Sequence, residues 1–217
     1  RPLETEKQAR MRRFTGGEVD SPSRNVARYI DTIADRYIRN LDVMMIYRLD
    51  RFGRGGHHRP FNEVGYPAVR IMETNEHYDR QHQDIRQEGD RRFGDTIDGV
   101  NFEYAAKMTA LNAVSLAAMA WAPAPPEDVV IEGMVGPHTT LKWKIDDSAA
   151  SYKLYWRLTT EPQWTRSRAV GHVNAFTLEN VVIDNYIFGV ASVNDQGVES
   201  PVVFPGPIGS FIFVSEE

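Results

Sequence analysis

Residues 121–126 read Trp121-Ala122-Pro123-Ala124-Pro125-Pro126. Closely spaced prolines cannot continue a helix, and they hold the backbone stiff and extended. The hydrophobic period changes across this stretch. Before it, apolar residues recur every three or four positions; after it, they alternate. The chain of 217 residues is therefore expected to divide into residues 1–122 and residues 123–217, with a different fold grammar on each side.

C-terminal to the prolines, about seven alternating runs are expected as strands: Val129 to Met134, Thr139 to Ile145, Ser151 to Leu158, Trp164 to Val170, Ala175 to Leu178, Tyr186 to Val193 and Val202 to Val214. Turn formers such as Asp146-Asp147, Asp184-Asn185 and Asn194-Asp195-Gln196-Gly197 separate them. This spacing predicts an all-β antiparallel sandwich. Trp143, Trp156 and Tyr186 fall on inward positions and are read as core. Trp164, in a polar context, is the better candidate for an exposed contact.

N-terminal to the prolines, the pattern is α/β. Ser21-Pro22 combines a capping hydroxyl with Pro at the first helical position. Val26, Tyr29, Ile30, Ile33, Tyr37 and Ile38 then follow at helical spacing, and Asn40 can close the helix. Val43 to Tyr47 and Ala68 to Met72 are short continuous apolar runs, expected as strands of a parallel sheet. A short helix over Pro60 to Val64, ended by Gly65, lies between them. Glu73 to Gly99 reads as a long polar loop, a length that points to function. A second long helix is expected over Asn101 to Ala120. Two strands are too few for a free-standing parallel sheet, so this part is expected to lack the rest of its domain or to borrow a partner. The start Arg1-Pro2-Leu3-Glu4 reads as that of a cut or processed chain.

Composition narrows the function classes. There are no cysteines, which excludes disulfides, thiolate zinc sites and a Cys nucleophile. Residues 1–122 carry 19 basic and 18 acidic side chains, whereas residues 123–217 carry 6 and 12. The arginines of the first part alternate with acids. A nucleic-acid footprint would be one-signed, so no nucleic-acid partner is expected. The longest apolar region, Tyr104 to Ala120, is interrupted by Lys107, Thr109, Asn112 and Ser115, so no membrane span is expected.

Two resemblances arise from ordered sets of residues. Pro125-Pro126, Leu141, Trp143, Tyr152, Leu154, Trp156, Leu178, Tyr186, Phe188, Val190, Asn194, Gly197 and Ser200 are similar to the fibronectin type III family. That likeness implies that Tyr186 is a corner tyrosine whose hydroxyl ties a turn to the chain. Gly55-Gly56-His57-His58-Arg59-Pro60-Phe61, Gly65-Tyr66-Pro67-Ala68-Val69, Glu73, Tyr78 and His82-Gln83-Asp84 resemble the C-terminal end of the zinc aminopeptidase family that includes glutamate carboxypeptidases and the transferrin receptor. His57 stands where that family usually has Asp.

The second resemblance implies a set of roles. His82 would be the last zinc ligand, with His77 as the runner-up. Asp84 and His58 would support the site from behind the ligands, and Tyr78 could offer a hydroxyl to a peptide substrate. Glu73 and Glu76 are read as solvated carboxylates. The family's chemistry is hydrolysis of an N-terminal peptide bond by two zinc ions with a Glu as general base. It uses five ligands, of which only the last is recognisable here, so the chain alone is expected to be inactive. The missing N-terminal part of the catalytic domain, or a homo-oligomer partner, would complete it. Export from the cell, to the exterior or the periplasm of a bacterial parent, is the expected location. A non-catalytic binding protein built on the same remnant is the alternative.

Overall fold

The computed structural model describes residues 5–7, 21–46, 55–133 and 135–205. Helix α1 spans Pro22–Tyr37, α2 His58–Glu63 and α3 Phe102–Trp121. Strands β1 (Arg86–Glu88) and β2 (Arg91–Phe93) form a hairpin between α2 and α3. The remaining strands are β3 (Glu127–Glu132), β4 (Thr139–Lys144), β5 (Ser151–Leu158), β6 (Arg166–Gly171), β7 (Ala175–Leu178) and β8 (Tyr186–Val193). Residues 1–20 lie outside the described residues, apart from residues 5–7.

Helix α1 starts as the sequence indicates. The Ser21 hydroxyl accepts from the Arg24 amide at 3.2 Å, and Pro22 occupies the first turn, where a missing N–H costs nothing. The helix ends at Tyr37, and Asn40 beyond it takes a left-handed φ of 56°. Ile30, Ala34 and Leu111 form a small buried cluster between α1 and α3, with Val26, Ile38, Leu41, Val43, Val69, Ile71 and Met119 packed against it. Asn101 caps α3 by accepting from the Tyr104 amide at 3.0 Å.

The two expected parallel strands are not strands among the described residues. Residues 41–46 and 66–73 carry no ladder, and every pairing that the structure contains is antiparallel. A strand exists through its neighbour, and neither stretch has one. Their side chains nonetheless divide between two sides: Leu41 and Val43 turn toward the helical cluster, while Met44 and Ile46 are exposed. Among the described residues, the α/β part is thus helices, one short antiparallel hairpin and two apolar segments without a ladder between them.

The sandwich follows its sequence closely. One sheet runs β3-β4-β7 and the other β6-β5-β8. Val129, Leu141, Trp143, Ala149, Tyr152, Leu154, Leu178, Phe188 and Val190 fill the space between them, with Trp156 and Tyr186 partly buried against that core. The Trp143 and Tyr152 rings meet at 5.3 Å. Of the expected last strand, 202–214, the described part makes a single bridge, Val203 to Val190; residues beyond 205 lie outside the described ones. Tyr186 does not act as a corner tyrosine here, since its hydroxyl has no hydrogen-bond partner among the described residues. Instead Arg166 lies over its ring at 5.4 Å. Tyr152 ties a turn, its hydroxyl accepting from the Asp146 amide at 2.7 Å.

Helix α1 also meets the sandwich along a buried polar seam. Asn25 and Arg28 are 3% and 1% exposed, which for a charged side chain demands partners. Asn25 Nδ2 donates to the Val202 carbonyl at 2.6 Å, and Arg28 Nε donates to the Pro162 carbonyl. The Tyr29 hydroxyl donates to the Glu199 carbonyl at 3.0 Å, and Gln163 Nε2 donates to Asp31 at 2.5 Å. Trp164, expected as an exposed contact, instead lies half-buried at this seam, 6.0 Å from the Arg28 guanidinium and 5.3 Å from that of Arg157. An indole among polar neighbours reads as exposed until those neighbours prove to be buried too.

Candidate functional site

The segment expected as a long loop is a built structure. Gly89-Asp90 joins β1 to β2, with Gly89 at φ 57°, a conformation open to glycine without cost. Phe93 is buried beneath the Arg86 guanidinium at 4.0 Å. Gly94 at φ 109° lets its backbone press against Ile85; a Cβ there would lie 2.7 Å from the Ile85 Cα. Behind the hairpin, the Gly94 amide donates to the Asp79 carbonyl at 2.9 Å and the Arg80 amide to the His77 carbonyl at 2.9 Å. Gly89-Asp90 was the signal for this hairpin; its nearly all-polar flanks concealed it.

Ion pairs fasten the loop to the hairpin. Arg91 reaches both oxygens of Asp79, at 2.6 and 3.2 Å. Arg80 donates to Thr96 at 2.8 Å and, with Arg92, faces Asp98. The hydrogen bond from Arg91 holds the Asp79 carboxyl below the usual carboxylate range, as expected for a charge-assisted fork. Gln81 Nε2 donates to Glu76 at 2.5 Å, so Glu76 is occupied within the loop rather than simply solvated.

His82 sits at the exposed turn of this frame, with φ 53°. Among the described residues, the other non-glycine residues with positive φ are Asn40, Asp128 and Asn180, types whose short polar side chains tolerate that region well. His77, Tyr78 and Asp84 lie in the same loop and are also exposed. The Asp84 carboxylate makes no hydrogen bond to the His82 ring; its carbonyl accepts from Arg86 at 3.4 Å. His58 lies at the start of α2, half-buried beside Gly56.

A zinc site takes about four donors. Among the described residues, no group of three or more His, Asp or Glu side chains within reach of a common ion includes His82. His82 is one exposed imidazole, and the described residues do not complete a zinc site around it. One acidic group does converge elsewhere: Asp31, Asp35 and Asp42, at the far end of α1. Its all-oxygen character does not suit zinc. Burial, with Asp35 and Asp42 beside it, pushes the Asp31 carboxyl up to about 6, which works against a fully ionised cluster.

No family model matches the chain. Relatives are found among fungi. A Leptosphaeria maculans protein named "Probable zinc metalloprotease" is 44% identical over 195 residues, covering 88% of this chain and 45% of its own length. Proteins of the same name from Pyrenophora tritici-repentis and Pyricularia oryzae are 41% and 36% identical, with 95% and 94% of this chain covered and 44% and 42% of theirs. The chain thus spans less than half the length of these curated relatives. Among solved structures, a fibronectin type III domain of human collagen XX overlaps 39% of this chain and 82% of its own, at TM-score 0.34 and 16% identity. A fibronectin type III-like protein of Clostridium thermocellum overlaps 37% and 85%, at TM-score 0.33 and 23% identity. At such scores the likeness adds nothing to the strand pairing described above.

Proposed function

We propose that this chain is the C-terminal part of a two-zinc aminopeptidase, in which His82 supplies the last metal ligand and the remaining ligands and general base come from polypeptide upstream. The observation that carries this reading is the similarity over 195 residues, at 44% identity, to a relative named for zinc proteolysis whose length is more than twice the matched region. The incomplete donor set around His82 agrees with it, as do two apolar segments that lack strands to pair with.

Zinc, when bound, would polarise the scissile carbonyl and supply a water of lowered pKa. This chain's own share is narrower. The ion-paired hairpin presents the His82 ring at a fixed turn, and Tyr78 lies in the same loop, 67% exposed, on the side from which a peptide would approach. Asp84 and His58 belong to the same proposal as supports for that ring. Peptide is the substrate class, and export from the cell belongs to the same proposal.

The test is hydrolysis of Leu-p-nitroanilide. The 217-residue chain with added zinc should show none, while the longer protein should be active and lose activity on His82→Ala. Robust turnover by the short chain, or full activity of the His82→Ala longer protein, would overturn the reading. Binding without hydrolysis by the longer protein would favour a non-catalytic interaction protein, which the replacement at His57 suits.

A further inference from the structure

Helix α1 is bonded on both sides within its first two turns. On one side Asn25, Arg28 and Tyr29 hold backbone carbonyls of the sandwich. On the other side, the Ser23 hydroxyl accepts from Asn62 Nδ2 and from the Ala68 amide, both at 3.1 Å. Asn62 Nδ2 also donates to the Tyr66 carbonyl at 2.9 Å, with the Ala68 carbonyl at 3.3 Å sharing one of its two N–H groups. Residues 66–73 have no ladder to fix them. The segment that leads directly into the His82 loop is held by Val69 and Ile71 on the helical cluster, by the Tyr66 amide on the Phe61 carbonyl and Arg70 on the Gly55 carbonyl, both at 2.9 Å, and by this serine and asparagine, which alone among these bonds tie it to α1.

We infer that the sandwich sets the position of the His82 loop through α1, with Asn25, Arg28 and Tyr29 as positioning residues and Ser23 and Asn62 as the relay. A β-sandwich behind a Pro-rich linker would ordinarily be read as a detachable attachment module, joined by the linker alone. The seam argues otherwise. A nearly inaccessible arginine and asparagine bonded to carbonyls 134 and 177 residues away in sequence tie the sandwich to the helix. The polar groups are buried and costly to leave unpaired, so the helix's placement follows the sandwich. Because Ser23 precedes Asn25 by two residues, a shift of that turn moves both sets of bonds together. The value of this arrangement to catalysis rests on His82 being a ligand; the coupling itself does not.

Hydrogen exchange across the 217-residue chain tests it without metal or substrate. Asn25→Ala removes the bond to Val202 and the acceptor for Arg28, and Tyr29→Phe removes only the bond to Glu199; Lys142→Ala, at an exposed position of β4, is the control. In both seam variants, exchange over residues 61–72 should quicken roughly three- to tenfold, the range for one lost hydrogen bond, while β3 and β4 keep their protection. Unchanged exchange over 61–72, with faster exchange confined to 158–165 and 199–203, would overturn the inference, since the seam would then merely hold the sandwich. Should Asn25→Ala unfold the chain, Tyr29→Phe decides, because it deletes one hydroxyl and no volume from the seam. If His82 proves not to bind zinc in the longer protein, the exchange result stands unaltered.

Discussion

Asp31 concentrates the electrostatics of α1 in one carboxylate. It accepts from Gln163 at the seam, yet burial first, then Asp35 and Asp42, raise it from 3.8 to about 6. A raised carboxyl binds its proton more tightly folded than unfolded. Its contribution is therefore fully present below pH ~3.8 and is lost as pH rises through ~6, the window set by those two values. At neutral pH the ionised group opposes folding, by at most about 1–2 kcal/mol once solvent screening is discounted. Asp31→Asn should then flatten stability against pH between 4 and 7 and raise the melting temperature at pH 7. Thermal melts at several pH values check this, and an unchanged slope would remove Asp31 as its source. The sequence did not disclose this residue, because the burial that raises it most arises only on folding, even though Asp35 and Asp42 lie nearby in the chain.

The hairpin β1–β2 shows how two glycines with positive φ differ. Around Gly89 there is open space, so Gly89→Ala meets only the left-handed penalty of about 1–2 kcal/mol. At Gly94 a methyl would press on the Ile85 backbone at 2.7 Å, and the strand must shift. Gly94→Ala should therefore destabilise the hairpin more, by roughly 2–4 kcal/mol from strain plus overpacking. Amide exchange over residues 85–94 measures it; equal effects at the two glycines would contradict the packing read here. The helices and most sandwich strands were legible because capping and alternation are local signals: Ser21-Pro22 marked α1, and β5, β7 and β8 fall at the expected bounds. The hairpin was hidden by its polar flanks. The expected strands 43–47 and 68–72 failed for the opposite reason, since apolar composition marks a place to be buried and pairing depends on a neighbour.

Across the whole molecule, burial is uneven. The sandwich has a continuous core, whereas α1 and α3 share a cluster of three buried side chains. Among the described residues, 13 of the 17 exposed large apolar side chains lie between Tyr37 and Trp121. Under the proposal above, this is the part against which upstream polypeptide would pack. The candidate site shares this split. The frame of the His82 loop is present in the chain, and its chemistry is assigned to residues upstream. Sequence resemblance singled out His82, because a motif is an ordered set of residue types; it could not reveal the seam, whose bonds end on carbonyls that carry no residue identity.

Zinc content decides the central claim most directly. In the longer protein, purified and dialysed against metal-free buffer, inductively coupled plasma mass spectrometry should find about two zinc ions per chain, the number a co-catalytic site holds. His82→Ala should lose at least one of them while the circular dichroism spectrum stays unchanged. Two zinc ions retained by the His82→Ala protein, or none bound by the unaltered one, would contradict the assignment of His82 to a two-zinc peptidase site.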